Sequence, residues 1–474
     1  MARRAERGRL GALALALALG GCALNPATRR VELSLVSESD ELTLGKEADA
    51  QVVAAAGVYE DMSLGAYVQG VGEAIARTSE RPGLPWTFRV LDTPEVNAFA
   101  LPGGYIYATR GLLAHLLAES ELAAVFGHEV AHVSARHGVN QLSRTVLAQR
   151  GVGVFRVLDP NMRHVGAIAQ GTAGLALLRH SREDEAEADR LALRYLRRAG
   201  QPPEAMARVL ALLAGLAQQK DKGGAPEWLS THPDPSARLA WVNGELGRSG
   251  DDVVIEPGFV ARLEGLQVGE DPRHGMVVES TYYCPERGFQ VTLPPGWKLA
   301  VDRTTMMGAD PDEKALVIAG LARGKSLEEV EASFLGNQRI RPGRRWQGAS
   351  PDYATRGGAF EFLGDDGVLA GLVVFAQLDG AVLVLLSAGA PADFAALSSA
   401  IDASFGTLAA IRDPAIRGVQ PARLHVIEVQ AATPLRELVP AAELGTTAAI
   451  NRIAVDGVVT AGRPLKVIRR GGGA

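Results

Sequence analysis

Cysteine is almost absent: of 474 residues only Cys22 and Cys284 carry thiols, so one disulfide at most can form and no disulfide framework supports the fold. A net positive charge is missing too. The formal charge is −5 and the arginines are scattered, with no basic stripe to neutralise phosphates, which excludes nucleic acid as a partner. No internal repeat is present. Between Leu112 and Leu216 no apolar run reaches transmembrane length; "VGAIAQGTAGLALL" is interrupted by Gln170, which predicts a catalytic part outside the bilayer. What remains is a globular composition, 47% hydrophobic and 22% charged, in a chain too long for one core. Two or three domains are expected.

The first residues carry an address. Arg3, Arg4, Arg7 and Arg9 precede the short apolar stretch "LGALALALALGG", the pattern of a secretory signal. It ends in "LGGC", which resembles the bacterial lipobox, whose cysteine is lipidated and becomes the mature N-terminus. Residues 1–21 then form the signal peptide and 22–35 a lipid-anchored tether; a cleaved signal that happens to contain cysteine is the alternative. Acylation of Cys22 leaves Cys284 without a partner. Ala23, by resemblance to enterobacterial sorting rules, favours the outer membrane, with the chain in the periplasm.

Hydrophobic periodicity divides the rest into an α+β chain. Residues 36–250 read as mainly helical with a small β-sheet edge in "WTFRVLDTPEVNAFALPGGYIYATRG". Residues 271–410 alternate as strands around two helix candidates, "SLEEVEASFLG" and "PADFAALSSAIDASFGTLA", and form an α+β accessory domain. Residues 411–470 have strand, helix, strand order and faintly resemble a degenerate LysM module, which suggests peptidoglycan; a small packing domain explains the same pattern.

The chemistry gathers in "GHEVAHVSARHG", residues 127–138, with three of the nine histidines. Ser120 is the expected N-cap and Gly138 the expected left-handed terminator of the helix carrying it. Residues four apart share a helix face, so His128 and His132 can both aim nitrogens at one metal ion. Glu129, beside His128, can accept a proton from water at that metal. His137 lies about half a turn away from His128 on a continuing helix and cannot join the same ion. It is expected in the last turn, beside the ligands, where the helix dipole favours it.

A catalytic zinc needs a third protein ligand. In "SREDEAEADRLALRYLRRAG", Ser181 and Asp184 form a capping box, and the period aligns Glu185 with Ala188, Ala192, Tyr195 and Leu196 on the apolar stripe. An acid on a buried stripe needs a partner, and a metal is one. Asp189, a turn later, can orient a ligand histidine through its other ring nitrogen. Glu183 and Glu187 share a side with Arg190 and Arg194 and read as a solvated face with ion pairs. A helix start decorated with acids to suit the dipole is the plain alternative.

HEVAH followed by E-A-E-A-D resembles the gluzincin family that includes HtpX and the CAAX prenyl proteases. "NAFALPGGYIYATRGLL" is similar to its edge strand, "SREDEAEAD" to its third-ligand helix and "THPDPSARL" to its THP loop. The resemblance implies a zincin-type domain with one Zn2+ per chain held by His128, His132 and Glu185. It makes Glu129 the general base and Asp189 a support for the ligands. Membrane spans are missing, which points to the soluble periplasmic, BepA-like lipoprotein branch, although the helical repeat tail of that branch is absent. The implied substrates are unfolded or misassembled envelope polypeptides. The strand through Asn97, Ala98, Phe99, Ala100, Pro102, Gly103 and Gly104 then pairs with extended substrate backbone; an ordinary sheet edge is the alternative. His232 either stabilises the oxyanion or fills the metal's open position, with a surface histidine as the plain reading, and Arg238 anchors its loop.

The reading is a zinc endopeptidase of the envelope, anchored to a membrane at Cys22. A latent protease acting as a chaperone or binding protein stays open. So does a two-histidine, one-carboxylate iron oxygenase, in which Glu129 has no evident role.

Overall fold

A computed structural model describes residues 22–148, 180–218, 228–250, 252–301, 305–323, 325–347, 350–364 and 367–471. Residues 1–21, expected to form a signal peptide, and the run "VGAIAQGTAGLALL" lie outside them. The chain divides into two compact units, Met1–Gly269 with Arg423–Arg469, and Glu270–Ala422 with Arg470–Ala474. Most of the segment expected to stand as its own C-terminal module is therefore part of the first unit.

The first unit opens with an antiparallel pair, β1 (Cys22–Leu24) and β2 (Val31–Leu33), followed by helices α1 (Glu38–Ala56) and α2 (Met62–Ala76). Strands β3 (Thr87–Leu91), β4 (Ala98–Leu101) and β5 (Tyr105–Thr109) form a sheet in the order β3-β5-β4, parallel then antiparallel, leaving β4 at an edge. Pro102–Gly104 makes the tight turn from β4 to β5, with Gly103 and Gly104 at φ +81° and +100°, a region other side chains avoid. Helix α1 packs on that turn, and a Cβ on Gly45 would lie 2.0 Å from the Pro102 carbonyl oxygen.

Helices α3 (Arg110–His115), α4 (Glu119–Ser134), α5 (His137–Ala148), α6 (Arg182–Arg198), α7 (Glu204–Gln218), α8 (Trp228–Thr231), α9 (Pro235–Leu246) and α10 (Pro257–Arg262) follow. Every residue of α4 from Ser120 onward is buried, because α2, α6 and α7 all pack against it. A helix enclosed in this way holds its polar side chains in a medium where each needs a partner. Strand β6 (Gln267–Val268) ends this part of the unit.

The second unit holds strands β7 (Met276–Val278), β8 (Thr281–Cys284), β9 (Phe289–Thr292), β10 (Lys298–Val301), β11 (Thr305–Ala309) and β12 (Ala315–Arg323), helix α11 (Leu327–Leu335), and strands β13 (Ile340–Gln347), β14 (Thr355–Gly364), β15 (Gly367–Leu378) and β16 (Ala381–Gly389). Helix α12 (Pro391–Phe405), strand β17 (Ala409–Ala410) and helix α13 (Pro414–Arg417) close it. Seven strands run in the order β10-β11-β12-β16-β15-β14-β13, all antiparallel, and β17-β9-β8-β7 form a smaller sheet. Strand alternation sorts β15 between two cores: Leu372, Val374 and Ala376 join Phe394 and Ile401 of α12, while Val373 and Phe375 join Leu327 and Val330 of α11. Cys284 is buried in the first of these, and burial raises its thiol pKa.

The chain then returns to the first unit with β18 (Ala422–Glu428), β19 (Thr433–Pro434), α14 (Leu435–Leu438), α15 (Leu444–Ile450), β20 (Val458–Val459) and β21 (Pro464–Arg470). Strand β18 lies between β21 and β6, which ties this segment into the first unit's backbone. The architecture is mixed α+β throughout. Among the described residues no helix is long and apolar enough to cross a membrane.

Candidate metal centre

Helix α4 differs at both ends from what its sequence suggests. Its N-cap is Ala118, which supplies no side-chain bond. The carboxylate of Glu256 takes that place, accepting from the Glu119 amide at 2.9 Å and from the Ser120 hydroxyl at 3.1 Å, so Ser120 is a capped residue and not the cap. At the other end the helix stops at Ser134, one turn before Gly138, because Arg136 adopts a left-handed φ of +59°. Its guanidinium donates to Glu41 at 2.9 Å and to the Val36 carbonyl at 2.8 Å, which holds the break. His137 consequently starts α5 instead of finishing α4, and the dipole argument for it fails.

Inside α4, His128 and His132 project from one face as their spacing predicts, with Nε2 atoms 3.0 Å apart. Helix α6, opened by the Ser181 and Asp184 capping box, brings Glu185 between them, its oxygens 3.5 Å from His128 Nε2 and 3.3 Å from His132 Nε2. His232, immediately after α8, adds a fourth group: Nδ1 is 3.0 Å from Glu185 Oε1 and 3.3 Å from His128 Nε2. Ligand atoms from His128, His132, Glu185 and His232 all lie within 4.8 Å of one another, and all four residues are buried. His232 is not a surface histidine. Trp228 stacks on its ring at 4.7 Å.

Around this group the remaining predicted residues fall in place by contact. Asp189 Oδ1 is 3.1 Å from His128 Nδ1, the ring nitrogen turned away from the cluster. Arg238, expected to anchor a loop, reaches further: it donates to both Asp189 oxygens at 2.8 and 2.6 Å, and its third nitrogen forms an ion pair with Glu185 at 2.5 Å. Its guanidinium also lies 5.0 Å from the Trp228 ring. His137 Nδ1 sits 2.9 Å from His132 Nδ1, and its Nε2 is 3.5 Å from Glu187, which therefore faces the histidines and not Arg190 or Arg194. Arg194 pairs with Glu80 instead. His180, which sequence spacing does not single out, stacks on His132 at 3.7 Å and forms a second close group with His132 and His137.

The donor set suits zinc: imidazole nitrogens and one carboxylate converging in a buried pocket. Glu129 supplies an independent observation. Both its oxygens are buried without a hydrogen bond, His232 Nε2 being 3.6 Å away, so the carboxylate is aimed at something other than protein. Burial raises its pKa, against the pull of His232 and His128. Burial and Arg238 push the His128 imidazolium down, but Glu185 and Asp189 prevail and lift it to about 9. Glu185 itself is held well below the usual carboxylate range, burial being outweighed by Arg238 and His232.

The edge strand is only partly available. Phe99 and Ala100 in β4 are half-buried, whereas Ala98 packs inward and Asn97 is buried, its amide donating to Thr109 Oγ1 at 3.1 Å. Pro102, Gly103 and Gly104 are buried in the turn against α1, with Gly103 N donating to Glu41 at 3.4 Å. They shape the end of the strand and are not exposed for pairing. The backbone of Cys22 lies in β1.

Residues 63–246 match the model of peptidase family M48. The chain is 30% identical over 217 residues to the "Beta-barrel assembly-enhancing protease" of Yersinia pestis, covering 43% of each chain. It is 34% identical over 169 residues to the "Mitochondrial metalloendopeptidase OMA1" of Arabidopsis thaliana, covering 35% of this chain and 33% of that one. Both matches span less than half of the relative's length. Among solved structures, that of cyanobacterial PsbP from Synechocystis sp. PCC 6803 aligns with a TM-score of 0.24 at 10% identity, over 29% of this chain and 95% of that one.

Proposed function

We propose that this chain, whose residues 63–246 form a peptidase family M48 domain, is a zinc-dependent endopeptidase that cleaves misfolded or unassembled polypeptides of the bacterial cell envelope. The observation that carries the reading is the unbonded, buried carboxylate of Glu129 beside four convergent donors, His128, His132, Glu185 and His232. His128, His132 and Glu185 would hold the metal. Zinc bound there supplies Lewis acidity and lowers the pKa of a water in the site.

Glu129 acts as the general base, and its raised pKa suits both proton transfers, since the same carboxylate takes the proton of water and returns it to the leaving amine. His232 Nε2, on the Glu129 side of the cluster, is placed to donate to the developing oxyanion. Asp189 and Arg238 fix the rotamers of His128 and Glu185. Phe99 and Ala100, the half-buried part of β4, offer its edge to extended substrate backbone, which selects unfolded segments over folded ones. The name of the Yersinia relative points to beta-barrel assembly as the source of such substrates. Acylation at Cys22 would tether the enzyme to a membrane, facing the periplasm.

Casein cleavage tests the reading. Wild type should cleave and Glu129→Gln should lose about 10²–10⁴-fold in kcat while keeping its zinc, the range for a general base. Equal cleavage by the two would refute the mechanism; binding without cleavage by wild type would leave a chaperone.

A further inference from the structure

Helix α4 carries His128, Glu129 and His132, yet its own sequence does not fix where it begins. Ala118 gives no cap. The second carboxylate in its first turn, Glu121, is fully buried and points back at the chain entering the helix, accepting from the Leu117 amide at 2.9 Å. A buried carboxylate needs a cation, and Arg208 of α7 stands at 3.7 Å, too far for a good pair. The close partner comes from more than 300 residues downstream: Arg452, just after α15, donates to both Glu121 oxygens at 2.6 and 2.9 Å. Its second nitrogen also reaches the His115 carbonyl at 3.3 Å.

Two further features mark this contact as specified. Arg452 holds a left-handed φ of +50°, a conformation that costs a non-glycine residue about 1 kcal/mol or more. Lys466 of β21, fully buried, donates to the Ala114 and Leu116 carbonyls at 2.5 and 2.9 Å, which satisfies the open C-terminal end of α3 directly before α4. Asn451 is also buried and orients Lys466: it accepts from Lys466 N at 2.9 Å and donates to the Lys466 carbonyl at 2.7 Å.

We infer that residues 423–469 are a built-in part of the metallopeptidase, and that Arg452 is a positioning residue which, through Glu121, sets the axial register of the helix bearing the metal ligands. Glu121 precedes His128 by seven residues, almost two full turns or about 10 Å, so both lie on nearly the same side of α4. A rigid helix transmits a shift or rotation at Glu121 to His128 and His132 together. The inference rests on the zinc reading for what those histidines hold, but not on proteolysis.

The test uses the full chain with Arg452→Gly, which relieves the strained backbone and deletes the guanidinium, and with Arg452→Lys, which keeps the charge without the two-pronged pair. Arg412→Ala removes an exposed pair with Asp352 in the other unit and serves as the control. Zinc affinity is measured by chelator competition at a temperature where circular dichroism shows every variant folded, and casein kinetics alongside. Expected are a tenfold or greater loss of zinc affinity and a fall in kcat at unchanged KM for Arg452→Gly, partial recovery in Arg452→Lys, and no change in Arg412→Ala. Wild-type zinc affinity and kcat in a folded Arg452→Gly, with only a lower melting temperature, would overturn it. Should Arg452→Gly not fold, Arg452→Lys carries the same measurement with the same two outcomes. Because zinc affinity is read without substrate, failure of the protease reading leaves this test intact.

Discussion

Arg238→Met probes the centre most directly. The guanidinium neutralises two acids that are almost without solvent, Glu185 at 2% exposure and Asp189 at 0%, through contacts of 2.5 to 2.8 Å. Methionine keeps an apolar stem of similar length but leaves both carboxylates without their cation. Removing one partner of a buried ion pair costs about 3–5 kcal/mol, and a domain of this size loses about 2–4 °C per kcal/mol, so the metal-free protein should melt about 6–20 °C lower. Differential scanning calorimetry in a chelator reads the shift. Adding Asp189→Asn removes one stranded charge, so the double variant should melt higher than Arg238→Met alone. Zinc should also narrow the gap, since a cation at Glu185 replaces part of the lost charge. A drop below about 2 °C in the metal-free protein, or a double variant that is simply the sum of the two singles, would refute this account of the pairing.

Lys466 offers a test by pH. Burial first and then Arg452 hold its pKa well below that of an ordinary lysine, so between its folded value and about 10.4 the unfolded chain binds more protons than the native one. Stability from this group therefore rises with pH across that window, and the wild type should gain on Lys466→Met as pH climbs toward 10; chemical denaturation at several pH values reads the difference, and a gap that is flat or shrinks with pH contradicts it. Chelation gives another. Saturating zinc at about a thousand times its Kd stabilises by about 4 kcal/mol, so removing it should lower the melting temperature by about 8–16 °C in wild type, and by far less in His132→Ala. A melting temperature indifferent to chelator would count against a zinc site at His128, His132 and Glu185.

The parts of the site legible in the sequence are those that a helical period encodes. His128 and His132 share a face because they stand four apart, and Glu185 and Asp189 fall on the buried stripe of α6 for the same reason. His180 escapes such a reading because it precedes the capping box, outside any helix, where no period places it; its only signal is proximity to Ser181. The end of α4 is misplaced by its sequence because Gly138 is the conventional terminator, whereas Arg136 takes the left-handed turn, held by contacts to Glu41 and Val36 about a hundred residues upstream. In the second unit the strand alternation that predicts a sheet also records its two faces, as β15 illustrates.

The buried charges at the two ends of α4 follow one logic. At its C-terminal end Glu41 takes Arg81 at 2.7 Å and Arg136 at 2.9 Å, while Arg81 also donates to the Val133 carbonyl. At its N-terminal end Glu121 takes Arg452, and Glu256 takes the free amide of Glu119. An apolar filling of equal volume would often be as stable or more so, so stability alone does not account for these pairs. What they add is direction: a bidentate carboxylate and guanidinium accept few relative positions, whereas apolar side chains slide. A metal centre built from two residues of one helix and one of another tolerates little sliding, since ligand atoms must meet within a few tenths of an ångström. Holding α4 at both ends by groups from residues 41, 81, 256 and 452 confines its axial and rotational freedom before any metal arrives. It also explains why neither the helix start nor its end can be read from the helix's own residues.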